Sequence, residues 1–459
     1  MYQFSLNPIN VEKITTKYRN IVTQIPNPKT LSIINLCLQS EPLSMNDQLP
    51  VVWHKAEDFQ IYDVSGNKWI DFTSTIFVAN IGHSHPKVCE AIIKTVSDKL
   101  LNAYYYQTEL RAKLVNILIE ITPGALNKVL LLSTGSEATE AALKMLRLYG
   151  ANLHPEKTLI IAFEGAFHGK TMGSQTLGGK LGGKKWIKYV HPEIFHLPYP
   201  YPWVLEEKNM SGEEFFYESL KNLKNSGVDL SNIAGFYAEP YQGWCAVFFP
   251  KDYMQALRKW CDQNNSLLGF DEVQAGFGRT GKLFGFEHFE VEPDIIWCGK
   301  ALSSSIPVSA VIGRKELIDI DASLNSTHGG NPIGAAASHA AIKVLLEDNM
   351  VFESSRKGKI IEKELHQWQS EKPGIVCEIF GAGMVWAVFI RNPFSKELDI
   401  ELVDRIIEKS MQKGLLSIRT CCGTIKLGPP LSIQDDALIE GIHVLKESLN
   451  DILKEGYVT

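Results

Sequence analysis

Between Val129 and Ile312, short apolar runs alternate with helical or loop text, and that alternation limits the chain to few architectures. The runs are Val129–Leu132, Thr158–Phe163, Ile233–Ala238, Leu267–Phe270, Asp294–Cys298 and Val308–Ile312. Glu137–Leu148 has helical periodicity, with Gly150 read as its stop. Brief strands separated by helices predict an α/β fold, a largely parallel sheet with helices on its faces. In such a sheet, ligands bind outside the carboxyl ends of the strands.

The flanks read differently. Residues 1 to about 50 suggest an arm with a short helix, followed by strand-like text at Val51–Trp53, Gln60–Asp63 and Trp69–Phe72. Ser65-Gly66-Asn67 is a turn signal between the last two. Past the sheet come a helix from Pro332 to about Asp348, a strand pair around Gly381-Ala382-Gly383 and a helix near Leu402–Lys413. A strand at Ile425–Leu427 and a final helix Gln434–Leu453 complete an α+β segment. A chain of 459 residues exceeds one ordinary core. The expected division is an N-terminal arm with small-domain strands (1–75), a large ligand-binding domain (76–331) and a C-terminal small domain (332–459).

Charge and cysteine usage exclude several classes. The net charge of −6 is spread over interspersed signs, so neither nucleic acid nor a membrane surface is expected as partner. No apolar stretch is long enough for a membrane helix and no secretory signal opens the chain, which points to the cytoplasm. Eight cysteines form no C-x-x-C pair, only Cys421 and Cys422 being adjacent, so reduced and mostly buried thiols are expected. No metal is expected either: the histidines form no H-E-x-x-H set, and His83-Ser84-His85 reads better as a turn after Gly82. Gly178–Lys185 nearly fits a Walker A loop, but Lys185 stands where Ser or Thr must bind magnesium. It reads as a basic mobile loop.

Chemistry gathers at the strand ends. Leu267–Phe270 runs into Asp271-Glu272-Val273-Gln274, and Asp294–Cys298 runs through Gly299 into Lys300. A carboxylate and an amine converging on one crevice suit a cofactor with a basic ring nitrogen and an aldehyde, pyridoxal 5'-phosphate. Asp271 would keep the ring nitrogen protonated, Lys300 would form the Schiff base and shuttle a proton, Val273 would pack on the ring and Gln274 would reach its phenolic oxygen. Thr134 and Glu137 have capping-box spacing, which frees the amides of Gly135 and Ser136 for an anion. Phe167 could lie over the ring with His168 hydrogen-bonded nearby, and Glu239 ends another strand facing the crevice. Thr327, before the helix opened by Pro332, offers a hydroxyl to phosphate. The plain alternatives are a capped helix, a loop aromatic beside a surface histidine, a solvated turn and a loop leading into a helix.

Together these residues resemble the class III pyridoxal-phosphate aminotransferases of fold type I, from about Trp69 to Leu431. The likeness is carried by Gly82-His83-Ser84-His85-Pro86, Thr134-Gly135-Ser136-Glu137-Ala138, Phe167-His168-Gly169 and Glu239-Pro240-Tyr241-Gln242-Gly243. The run from Asp271 to Gly281, Gly299-Lys300 and Gly330-Asn331-Pro332 complete it. The resemblance implies ping-pong transfer of an amino group from an amino acid or amine to a 2-oxo acid, through a Lys300 aldimine. It implies a homodimer or dimer of dimers with shared sites, Thr327 serving the neighbouring subunit's phosphate. Ile76 and Phe77 fall where such enzymes line the substrate pocket, and Glu239 where they pair a switching arginine or approach the cofactor.

One departure bears on the substrate, and a second likeness bears on the reaction. Lys426 stands where many members have an arginine before the Pro-Pro-Leu text, here Pro429-Pro430-Leu431, and lysine cannot form the bidentate fork. Carboxylate binding is then weaker or moved to Arg419. Amino-acid racemases and epimerases of the same family also resemble this chain, at Gly173-Ser174-Gln175-Thr176-Leu177 and Pro198-Tyr199-Pro200. Racemisation is therefore the alternative to transamination.

Overall fold

The structure is a computed structural model that describes residues 2–188, 193–420 and 422–457. The chain divides into two compact units, one of Pro86–Gly243 and Val247–Val351, the other of Met1–His85, Trp244–Ala246 and Phe352–Thr459.

The first unit is built on a seven-stranded sheet. Its spatial order is Lys128–Leu132, Ser309–Gly313, Ile295–Cys298, Leu267–Asp271, Ile233–Ala238, Leu159–Phe163 and Ile194–Leu197. Ser309–Gly313 runs antiparallel to both neighbours, and the other pairings are parallel. The five strands that end at Leu132, Phe163, Ala238, Asp271 and Cys298 therefore deliver the residues that follow to one edge. All five residues of Leu267–Asp271 are buried, as a central parallel strand covered on both faces requires.

The helix Gly135–Leu153 packs Ala138, Ala141, Ala142, Met145 and Leu146 into the core, with Tyr237, Leu267 and Trp297 of the sheet in the same cluster. It corrects the sequence reading, since it runs through Gly150 instead of stopping there. Glycine stands at that point for closeness: a Cβ would lie 2.0 Å from the Lys157 carbonyl oxygen and 2.7 Å from Ala234 Cβ. Gly178–Lys185 is also corrected. Leu181–Lys184 forms a 3-10 turn, and Lys184 is buried with Nζ 2.8 Å from the Thr176 carbonyl.

The second unit holds two sheets. In one, Ile14–Thr15, Asn20–Ile21, Lys68–Asp71, Gln60–Tyr62 and Lys55–Glu57 lie side by side, with Leu415–Leu416 added parallel to Lys68–Asp71. The other places Val376–Ala382, Val385–Ile390, Thr424–Leu427 and Ile418–Arg419 in antiparallel order. Helices Ile400–Gln412 and Asp435–Lys454 accompany them. The helix Met350–Glu371 was not anticipated from the sequence. Three of the described cysteines are buried, Cys37 is exposed and the others are partly covered, so mostly buried overstates it; Cys421 lies outside the described residues. No helix among the described residues is long and apolar enough to cross a membrane.

Candidate active site

The capping box anticipated at Thr134 is present. Thr134 Oγ1 accepts the Glu137 amide at 3.2 Å, and Glu137 Oε2 accepts the amides of Ser133 and Thr134 at 2.8 and 2.9 Å. Gly135 and Ser136 are then the first two helical residues, whose amides have no partner within the helix and point outward. A Cβ on Gly135 would meet Val273 Cγ1 at 3.1 Å, and one on Gly299 would meet the same methyl at 3.4 Å. Val273 thus sits between the helix start and the residue before Lys300. The loop after Phe163 comes to the same place, because a Cβ on Gly169 would lie 2.4 Å from Ser136 Oγ.

Asp271 ends its strand in register with Trp297. Its Oδ1 accepts the Val273 amide at 3.0 Å, and its Oδ2 lies 2.8 Å from His168 Nδ1. The His168 side chain has no exposed surface, so it is not the surface histidine of the plain reading. Its Nε2 is buried without a hydrogen-bond partner. Tyr237 meets the imidazole edge-on, with centroids 5.0 Å apart, and donates its hydroxyl to the Thr139 carbonyl at 2.6 Å. The sequence reading missed Tyr237 because it lies inside an apolar run; its hydroxyl was the only sign.

Lys300 follows Gly299 with φ of 38°, a left-handed conformation costly for a residue with a side chain. Burial lowers its pKa from the ordinary lysine value, and the charges of Asp271 and Glu239 oppose the shift. Glu239 is buried, and its Oε2 accepts the Phe167 amide at 3.0 Å while the Phe167 ring stays about half exposed. A Cβ on Gly243 would lie 2.9 Å from Glu239 Oε1 and 3.8 Å from Gln274 Oε1, which brings those two side chains to one glycine. Glu272 faces the opposite task. Its carboxylate accepts the amides of Gly285 and Phe286, both at 2.9 Å, and burial pushes its pKa up to about 8. Thr327 is exposed, beside Ser326 whose hydroxyl lies 3.2 Å from Glu137 Oε1.

Within the second unit, Ile76 and Phe77 belong to a turn in which Ser74, Thr75, Ile76 and Phe77 all have positive φ, from 45° to 68°. Left-handed backbone costs about 1–2 kcal/mol per residue with a Cβ. The Phe77 ring is buried against Gly428, where a Cβ would stand 2.1 Å from Phe77 Cε1. Lys426 is buried too, its Nζ 4.5 Å from the Phe77 ring centroid, a cation–π distance. Arg419 is committed elsewhere: it pairs with Asp404 at 2.7 Å and with Asp47, and stacks over Phe4. It is not the substitute for Lys426 that the sequence allowed.

A family profile described as "Aminotransferase class-III" matches residues 43–449. A probable 4-aminobutyrate aminotransferase of Bacillus subtilis is 31% identical over 86% of this chain and 92% of its own length. An isoleucine 2-epimerase of Lentilactobacillus buchneri is also 31% identical, over 87% of this chain and 89% of its own. Among solved structures, an ornithine aminotransferase of Toxoplasma gondii, with PLP at partial occupancy in its active site, superposes with a TM-score of 0.80. It shares 26% identity and covers 92% of this chain and 95% of its own.

Proposed function

This chain belongs to the class III aminotransferase family, and from that premise we propose how its residues divide the work. The enzyme carries an amino group from an amino acid or amine to a 2-oxo acid in two half-reactions. Pyridoxal 5'-phosphate suits the residues gathered at the sheet edge: free amides at a helix start for an anion, an apolar Val273 for a ring face, and a buried carboxylate for a ring nitrogen. When bound, that cofactor supplies an aldehyde that takes up an amine and a protonated ring that draws electrons from the adjoining carbon.

Gly135 and Ser136 are assigned to the phosphate, with the positive end of the helix behind them. Asp271, steadied by His168, holds the proton of the ring nitrogen. Phe167 and Val273 would hold the cofactor's ring, and Glu239 and Gln274 would serve its polar substituents. Lys300 would hold the cofactor through its amine, and as a free amine it would move a proton to and from the substrate carbon. Burial favours its neutral form, which nucleophile and base both need. Thr327, exposed on its turn, is assigned to the phosphate of a neighbouring copy in a homodimer. Ile76 and Phe77 are assigned to substrate side-chain contact, and Lys426 to the substrate carboxylate.

The observation that carries this reading is the His168–Asp271 pair beside Val273, with Val273 lodged between Gly135 and Gly299. The 31% identity to an epimerase supports a second reading, racemisation, on the same residues. One experiment separates them. Protein loaded with pyridoxal 5'-phosphate is given a single L-amino acid and no 2-oxo acid. Transamination yields at most one equivalent of 2-oxo product per site, and turnover resumes on adding a 2-oxo acid. Conversion of the whole sample to an equilibrium of epimers would replace the first reading by the second. Lys300→Ala should abolish turnover and the visible absorption of lysine-bound cofactor; persistence of both would remove Lys300 from its role.

A further inference from the structure

The left-handed turn at Ser74–Phe77 contains Thr75 and Ile76, β-branched residues for which positive φ is a steric outlier. Such a turn persists only where its surroundings over-determine it. The hydrogen bonds that hold it form a chain. Asp71 Oδ1 accepts the Thr73 amide at 2.7 Å, Thr73 Oγ1 accepts the Thr75 amide at 3.0 Å, and the Thr73 carbonyl accepts the Phe77 amide at 3.0 Å. Ser74 Oγ donates to the Gly428 carbonyl at 2.7 Å, tying the turn to the strand end after Lys426.

The chain begins at His83. Its Nε2 lies 2.7 Å from Asp71 Oδ2, with the carboxylate fully buried and the imidazole nearly so. His83 is itself clamped, its backbone exchanging two hydrogen bonds with Asp58 and its ring meeting Trp53 edge-on. One oxygen of Asp71 thus fixes the turn while the other is fixed by His83. Removing the imidazole leaves one oxygen of a buried carboxylate without its partner, and such a group turns to find another. That turn of the carboxylate releases the Thr73 amide and lets the strained residues relax.

We propose that His83, acting through Asp71, is a positioning residue that holds the Ser74–Phe77 turn in its left-handed form and so sets how Ile76 and Phe77 meet the substrate. The assignment rests on reading Ile76 and Phe77 as pocket residues. His83 and Asp71 are assigned no contact with substrate or cofactor.

The test uses full-length protein loaded with pyridoxal 5'-phosphate. In His83→Leu, KM for the amino donor should rise about tenfold or more, the scale of one lost charge-assisted hydrogen bond. Cofactor absorbance should stay unchanged, and kcat should change much less than KM. Adding Thr75→Gly should bring KM most of the way back down, because glycine adopts the turn without strain. A merely supportive His83 would lower the melting temperature, leave KM alone and gain nothing from an exposed glycine. If His83→Leu does not fold, Thr73→Val removes only the hydroxyl that accepts Thr75, and the same KM signature is expected. Unchanged KM in the folded variant would overturn the proposal. Ile76→Ala, measured alongside, separates the two failures. A shifted KM there with an unshifted His83→Leu sinks the positioning role alone, whereas no shift in Ile76→Ala or Phe77→Leu sinks the pocket assignment.

Discussion

His168 Nδ1 lies 2.8 Å from Asp271 Oδ2, and the imidazole beyond it is sealed from water by Tyr237 and the protein interior. An ionised carboxylate kept in such a place needs hydrogen bonds to both oxygens, and here Val273 supplies the second. Asp271 then stands as a charge of fixed direction at the strand end. His168→Phe keeps the ring packing against Tyr237 but removes the partner. A charge-assisted hydrogen bond is worth about 1.5–3 kcal/mol, so kcat should fall about tenfold to a hundredfold. Asp271→Asn removes the charge itself and should cost more, about 10²–10³-fold. Steady-state kinetics on both variants check the order; a larger loss at His168 would put the essential charge elsewhere.

Lys426 offers a different test. Its side chain is buried with Nζ over the Phe77 ring, and a lysine there carries one compact charge without the fork of arginine. Lys426→Met keeps the stem and deletes the charge. KM for a carboxylate-bearing substrate should rise about tenfold to a hundredfold, with the cofactor spectrum unchanged. The same variant should handle an amine without a carboxylate as well as the parent does. Equal loss on both substrates would mean that Lys426 supports the Phe77 ring and does not receive the carboxylate.

The strand-end residues were legible because a parallel sheet converts position in sequence into position in space. Once Leu267–Phe270 and Asp294–Cys298 were read as strands, Asp271 and Lys300 had to reach one edge, and they do. The capping box was legible for the same local reason: Thr134 and Glu137 are three residues apart, and nothing distant is needed to satisfy them. What escaped depends on tertiary partners that no local pattern announces. Gly150 reads as a stop until Lys157 and Ala234 are known to press against it. Lys184 reads as a solvated charge until His196 and the Thr176 carbonyl close over it. The left-handed turn at Ser74–Phe77 has no glycine to announce it, and its supports come from Asp71, His83 and Gly428. Met350–Glu371 was missed because its apolar positions are diluted by Lys, Glu and Ser across a long helix.

The buried Lys184–His196 contact makes stability depend on pH at two ends of the range. His196 Nε2 lies 3.1 Å from Lys184 Nζ and 2.9 Å from the Leu177 carbonyl. Burial, reinforced by the charge of Lys184, pushes the imidazole pKa down to about 4 from 6.5. Burial also pushes the ammonium of Lys184 down to about 8 from 10.5. Between pH 4 and 6.5 the unfolded chain binds the proton that native His196 refuses, so stability is lost as pH falls through that window. The ceiling is roughly 3 kcal/mol from His196. Between pH 8 and 10.5 the unfolded chain again binds more protons, now on Lys184, so stability should rise with pH there. A rise of about 1 kcal/mol is expected once solvent screening is allowed for. Urea midpoints of the parent and of Lys184→Met, measured at pH 4.5, 6.5, 8 and 10, check both limbs. Lys184→Met should lose the alkaline rise and soften the acid fall, since His196 no longer faces a cation. An alkaline rise of equal size in the variant would assign it to another group and leave Lys184 protonated in the native fold.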